Sequence, residues 1–130
     1  MPALPVLPPG FDSAAFLKQA KLNFIRLQEA NDRGDLETLR DVATDDLYEK
    51  LAADVRDRAG KPQHTDVLTL EAALLEVVTE DNAHWASVRF SGQIREAAGG
   101  APAPFSEVWH LTKPLQENSG WLIAGIEQVS

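Results

Sequence analysis

HWASVRFSGQIRE, residues 84 to 96, decides the fold class. In an extended chain Ala86, Val88, Phe90 and Ile94 fall on one side, and the mostly polar Trp85, Ser87, Arg89, Ser91, Gln93 and Arg95 on the other. That alternation marks a strand with one buried and one wet face. Working outward, VLTLEAALLEVVTE (67–80), FSEVWHLTK (105–113) and WLIAGIEQV (121–129) are also rich in β-branched, aromatic and aliphatic residues, and turn-forming stretches separate them. The connections EDNA, AAGGAPAP and QENSG are too short for crossover helices, so four strands should pair as an antiparallel meander. The run at 67–80 is the most ambiguous, since LTLEAALLEVV can also be drawn as a helix. In the third run Phe105, Trp109 and Leu111 share a face with Glu107, a mixture that suggests a partly exposed aromatic contact surface.

Upstream of Thr65 the period is helical. Asp12 is a good N-cap, and Phe16, Leu17, Ala20, Phe24 and Leu27 follow at helical spacing. NDRGD supplies the stop, Asp35 caps a short second helix LETLRDVA, and Thr44 caps a third, DDLYEKLAADVRDRAG. The third places Asp45, Asp46 and Glu49 at its start and Arg56 and Arg58 near its end, in agreement with the helix dipole, and Gly60 closes it. Helices followed by a curved antiparallel meander make an α+β domain with one sheet face on the helices. The chain of 130 residues, 44% hydrophobic, divides into a proline-rich linker at 1–10 and a single domain at 11–130. The linker reads as a stiff spacer ahead of a domain cut from a longer parent, or as the start of a short natural protein. It has neither the basic start of a signal peptide nor the apolar length of a membrane span.

A formal charge of -8 opposes nucleic acid, whose binding is driven by lysine and arginine displacing counterions. The charge is uneven. Residues 12 to 33 carry Lys18, Lys21, Arg26 and Arg33 against Asp12, Glu29 and Asp32, a net of +1, which leaves -9 elsewhere. Without cysteine there is no disulfide, thiolate metal site or thiol nucleophile. His64, His84 and His110 show no metal-ligand spacing, so no metal or cofactor is expected. Serine occurs in FSGQI and NSGW without the nucleophile-elbow pattern, and Gly99 and Gly100 lead into APAP and not into a helix, so they form a hairpin turn. His110 beside Trp109 could act as a general base in an apolar cavity, but Glu107, an odd number of residues away, points to the opposite face and cannot orient it. No catalytic residue is expected.

On the first helix, Leu22 and Ile25 lie opposite the core face and share the outer side with Lys18, Lys21 and Arg26. Apolar residues flanked by cations suit a partner protein's groove or an acidic phospholipid surface. The plainer reading packs Leu22 and Ile25 under the second or third helix. A third possibility is a homodimer through the wet sheet face, anchored by Trp85, Trp109 and Trp121.

FDSAAFLKQAKLNFIRLQEANDRGDLETLRDVATDDLYEKL, ASVRFSGQIREA, FSEVWHLTKP and GWLIAGIEQ, in that order and spacing, cover nearly everything after the linker. On them the chain resembles the C-terminal domain of the mitochondrial inner-membrane translocase subunit 44 family, particularly its bacterial relatives. The resemblance implies a cone-shaped α+β fold like that of nuclear transport factor two, with a pocket between helices and sheet. It also implies a non-catalytic docking domain linked to protein translocation. Its place would be the cytoplasmic face of the bacterial inner membrane, held there through an anchor absent from this chain. The rival reading is a small-molecule binder or enzyme using the cone pocket, lined by some of Phe90, Trp109, His110 and Trp121.

Overall fold

The computed structural model describes residues 10–59, 61, 63–96, 99–115 and 120–129. Residues 1–9 of the proline-rich linker, Gly60 and most of QENSG lie outside these. Helix α1 (Ser13–Arg33) is started by Asp12, whose Oδ1 accepts from the Ala15 amide at 3.0 Å. It is stopped by Gly34 in the left-handed region at φ 72°, whose N–H turns back to the carbonyls of Ala30 and Asn31. Asp35 and Thr44 cap α2 (Leu36–Val42) and α3 (Asp45–Asp57), accepting from the Thr38 and Leu47 amides. A Cβ at position 34 would lie 3.3 Å from Cγ1 of Val55, so glycine there also lets the end of α1 close onto α3.

Strands β1 (Asp66–Glu80), β2 (Ala83–Arg95), β3 (Ala103–Pro114) and β4 (Leu122–Gln128) pair antiparallel in the order β1-β2-β3-β4, the expected meander. Asp81 and Asn82, at φ 54° and 62°, make the two-residue turn between β1 and β2 whose twist matches the strands it joins. The ambiguous run at 67–80 is strand throughout, and the cause of its ambiguity is visible. Val67, Leu70, Ala72, Leu74 and Val77 all oppose core-face residues of β2, yet their numbering changes parity twice, because Leu68 and Leu75 are extra residues at two bulges. The bulges set Val67, Leu70, Leu74 and Val77 at i, i+3, i+7 and i+10, which is helical spacing on an extended chain.

The concave face of the sheet meets α1. Phe24 packs on Phe90, Trp109 and Phe105 with ring centroids 4.8, 4.9 and 5.6 Å away, and Phe90 meets Trp109 edge to face at 5.1 Å. Burying each of these side chains contributes about 1.5–3 kcal/mol. Trp109 and Leu111 are each 1% exposed, so the mixed face of β3 is core and not the contact surface its composition suggests. Phe24 covers it, and Glu107 is tolerated there because it opens onto a cavity. At the far edge of the sheet the Thr44 amide donates to the Ile123 carbonyl at 2.9 Å, and Ala43 bridges the same residue, so the link between α2 and α3 covers part of β4.

Candidate functional site

The outer side of α1 divides into two lines. Lys18, Leu22 and Arg26, four residues apart, stand out into solvent, and Leu22 is 57% exposed, the most of any large hydrophobic side chain described. Ile25 lies about 60° round the helix from Leu22. It is half-buried, packed against the core, and lines a hollow with Val67, while Lys21 is also half-buried. The expected five-residue stripe is therefore three residues wide open and two at the margin. Ile25 turns toward the start of β1, not under α2 or α3.

Phe90, Trp109, His110 and Trp121 do not line one pocket. Phe90 and Trp109 are sealed in the core, Trp121 packs edge-on against Phe16 at the N-terminal end of α1 at 5.0 Å, and His110 points out from the other sheet face. An odd-numbered β3 residue faces α1 and an even-numbered one faces away, which separates Trp109 from its neighbour. The same geometry takes Trp109 and Trp121 away from the outer face. Of the three tryptophans offered as dimer anchors, Trp85 alone stands there, 37% exposed.

The hollow between helices and sheet lies at the opposite end. It is an open cavity of about 750 Å³ between the C-terminal half of α1, residues 63–65, the end of β2, the start of β3 and Gln128. Phe24, Ile94 and Phe105 form apolar walls, and Glu107 and Gln128 face in. Glu107 accepts from Trp109 Nε1 at 3.0 Å and from Gln128 Nε2 at 2.6 Å.

One wall of the cavity is a strap held by Asp32, which is 6% exposed. Its carboxylate accepts from the Thr65 amide at 2.8 Å, Gln63 Nε2 at 3.1 Å, the Thr65 hydroxyl at 3.3 Å and Gln28 Nε2 at 3.4 Å, and its carbonyl accepts from the Gln63 amide at 3.0 Å. Those bonds replace the water a buried carboxylate loses. In the sequence Asp32 reads only as part of the helix stop NDRGD. Its partners Gln63 and Thr65 are distant in the chain, and no local pattern reveals them.

On the outer face His110 has the orienting groups that the sequence did not reveal. Its Nδ1 lies 2.9 Å from Ser87 Oγ on β2 and its Nε2 2.5 Å from Glu127 Oε1 on β4. Glu107 points the other way, as strand parity requires. Glu127 reaches His110 from the neighbouring strand, where Gly125 stands opposite the imidazole. Glu127 is exposed and neither cavity touches this trio. Among the described residues no three His, Asp or Glu side chains converge as metal ligands, and no helix is long and apolar enough to cross a membrane.

A conserved protein from Planctomyces limnophilus DSM 3776 superposes with a TM-score of 0.52 at 16% identity, over 89% of this chain and 99% of that one. The intermembrane space region of the chloroplast protein ARC6 gives 0.56 at 13%, over 94% and 99%. A nuclear transport factor 2-like superfamily protein from Salmonella enterica serovar Typhimurium LT2 gives 0.51 at 9%, over 92% and 93%. These likenesses establish the fold, three helices on a curled four-stranded antiparallel sheet. No curated protein matches. The model of the Tim44-like domain matches residues 3–128, nearly the whole chain, and the chain therefore belongs to the Tim44-like domain family.

Proposed function

We propose that this chain is a non-catalytic docking domain of a membrane-associated bacterial protein linked to protein translocation. Its contact surface for a partner protein is the line Lys18, Leu22 and Arg26 on α1, with Lys21 and Ile25 at the margin. The observation that carries this reading is Leu22, an exposed leucine set between cations on a chain of net charge -8. An acidic, partly apolar partner groove complements that line. Acidic phospholipid is less suited. Each basic residue near such a surface contributes about 1 kcal/mol, while the acidic bulk of the domain is repelled within a Debye length. The non-catalytic reading rests on the position of Ser87, His110 and Glu127 on the outer sheet face, outside both cavities, with Glu127 exposed. Membrane attachment is assigned to a segment other than the described helices, at the cytoplasmic face of the inner membrane.

The test is a photo-crosslinking amino acid at position 22 in cells, compared with one at exposed Glu37, together with sedimentation on cardiolipin-containing and neutral vesicles. A discrete protein adduct specific to position 22, lost in Lys18→Glu/Arg26→Glu, supports the proposal. Equal adducts at both positions sink it. Vesicle binding abolished by the charge reversal, with no protein adduct, replaces the protein partner with lipid.

A further inference from the structure

We propose that the open cavity between α1 and the ends of β2, β3 and β4 is a binding site for a small organic cation, anchored by the Glu107 carboxylate and walled by Phe24 and Phe105. The site is remote from the outer line of α1 and stands whether or not that line docks a partner. Its basis is an imbalance of charge. Glu107 is half-buried, yet both groups that bond it, Trp109 Nε1 and Gln128 Nε2, are neutral. None of the ion pairs among the described residues includes it. Among the described residues no lysine or arginine lines the cavity, Glu96 adds a second acid at its rim, and its histidine, His64, is engaged by Asp66 at 2.6 Å.

A carboxylate withdrawn from water without a counter-charge gains most from a cation brought to it. Each oxygen of Glu107 keeps an acceptor position beyond the bond it already makes. The two donors also fix the carboxylate, so a ligand does not have to order it. Half-buried Phe105 gives an apolar body, and the ammonium or guanidinium group it carries, an aromatic ring to pack on, and Phe24, stacked behind it at 5.6 Å and 26°, holds that ring in place. At about 750 Å³ the space suits a small molecule. An anion would meet the carboxylates of Glu107 and Glu96 with no lysine or arginine among the described lining residues to offset them.

The experiment is isothermal titration of the intact domain with 2-phenylethylammonium and with 3-phenylpropionate, which share an aryl-ethyl body and differ in the sign of charge. The cation is expected to bind at least about tenfold more tightly, and Glu107→Gln, which keeps the size of the side chain and its acceptor for Trp109 while the Gln128 amide turns over to accept from the new NH2, to remove about tenfold of that affinity. Ala103→Trp, on the exposed rim and clear of the core, is expected to block binding while the thermal melt stays cooperative. It keeps the test informative if Glu107→Gln folds poorly. No binding of the cation, equal binding of the two probes, or a folded Glu107→Gln protein that binds as tightly as the parent would each overturn the proposal.

Discussion

The carbonyl oxygen of Thr69 occupies the space a side chain would need at Gly92: a Cβ on that glycine would lie 2.1 Å from it and 2.8 Å from the carbonyl carbon. The approach belongs to the bulge at Leu68, where Thr69 Oγ1 also accepts from the Gln93 amide at 3.0 Å. Because the obstacle is backbone, relief requires β1 and β2 to separate. Gly92→Ala is expected to cost about 2–4 kcal/mol. The urea midpoint checks this, and a variant within experimental error of the parent would show that the bulge is not held as described.

Asp32 is expected to be worth more to stability than a surface aspartate. Asp32→Ala leaves the half-buried Thr65 amide and hydroxyl without their acceptor and releases Gln63, at a cost of about 1–3 kcal/mol. Amide exchange at Thr65 should accelerate in parallel, since its N–H loses its acceptor. Exchange unchanged at Thr65 would contradict the strap.

The cap of α2 should weaken in acid. The Thr38 hydroxyl, then the Thr38 amide and Arg33, hold the Asp35 carboxyl below the ordinary aspartate value against a smaller opposing effect of desolvation. A depressed folded-state value means that the stabilisation is complete above the unfolded value and disappears as pH falls through the folded one. The difference in melting temperature between the parent and Asp35→Ala should therefore shrink from about pH 6 to about pH 3. A difference independent of pH would assign the cap to neutral hydrogen bonding alone.

Two neighbouring large residues on α1 should behave oppositely. Phe24→Ala opens a void among Phe90, Trp109 and Phe105 and is expected to cost about 3–5 kcal/mol. Leu22→Ser should change stability by no more than about 0.5 kcal/mol, because the leucine is already in water. Guanidinium melts of both variants test this contrast, and a large loss from Leu22→Ser would mean that the side chain packs inside.

What could be read from the sequence followed from local periodicity. The caps at Asp12, Asp35 and Thr44 and the alternation in β2 depend on neighbours a few residues away, and they stand where expected. The pocket residues did not, because lining a cavity depends on which strand end α1 leaves uncovered. Phe24 seals Phe90 and Trp109 where composition suggested an accessible wall, while Glu107, read as part of an exposed contact face and as the carboxylate pointing away from His110, faces the cavity. Glu127 was invisible for a related reason: its contact with His110 exists only through the pairing of β3 with β4, which strand parity within one segment cannot reveal.

The two bulges in β1 have one further consequence. A strand of 15 residues hydrogen-bonded only to β2 offers its other edge as a template for another chain. Displacing Leu68 and Leu75 breaks that edge into short out-of-phase runs, and the exposed Glu71, Glu76 and Glu80 would repel a second copy arriving alongside. The irregularity that disguises β1 as a helix thus also guards it against growing into a fibre.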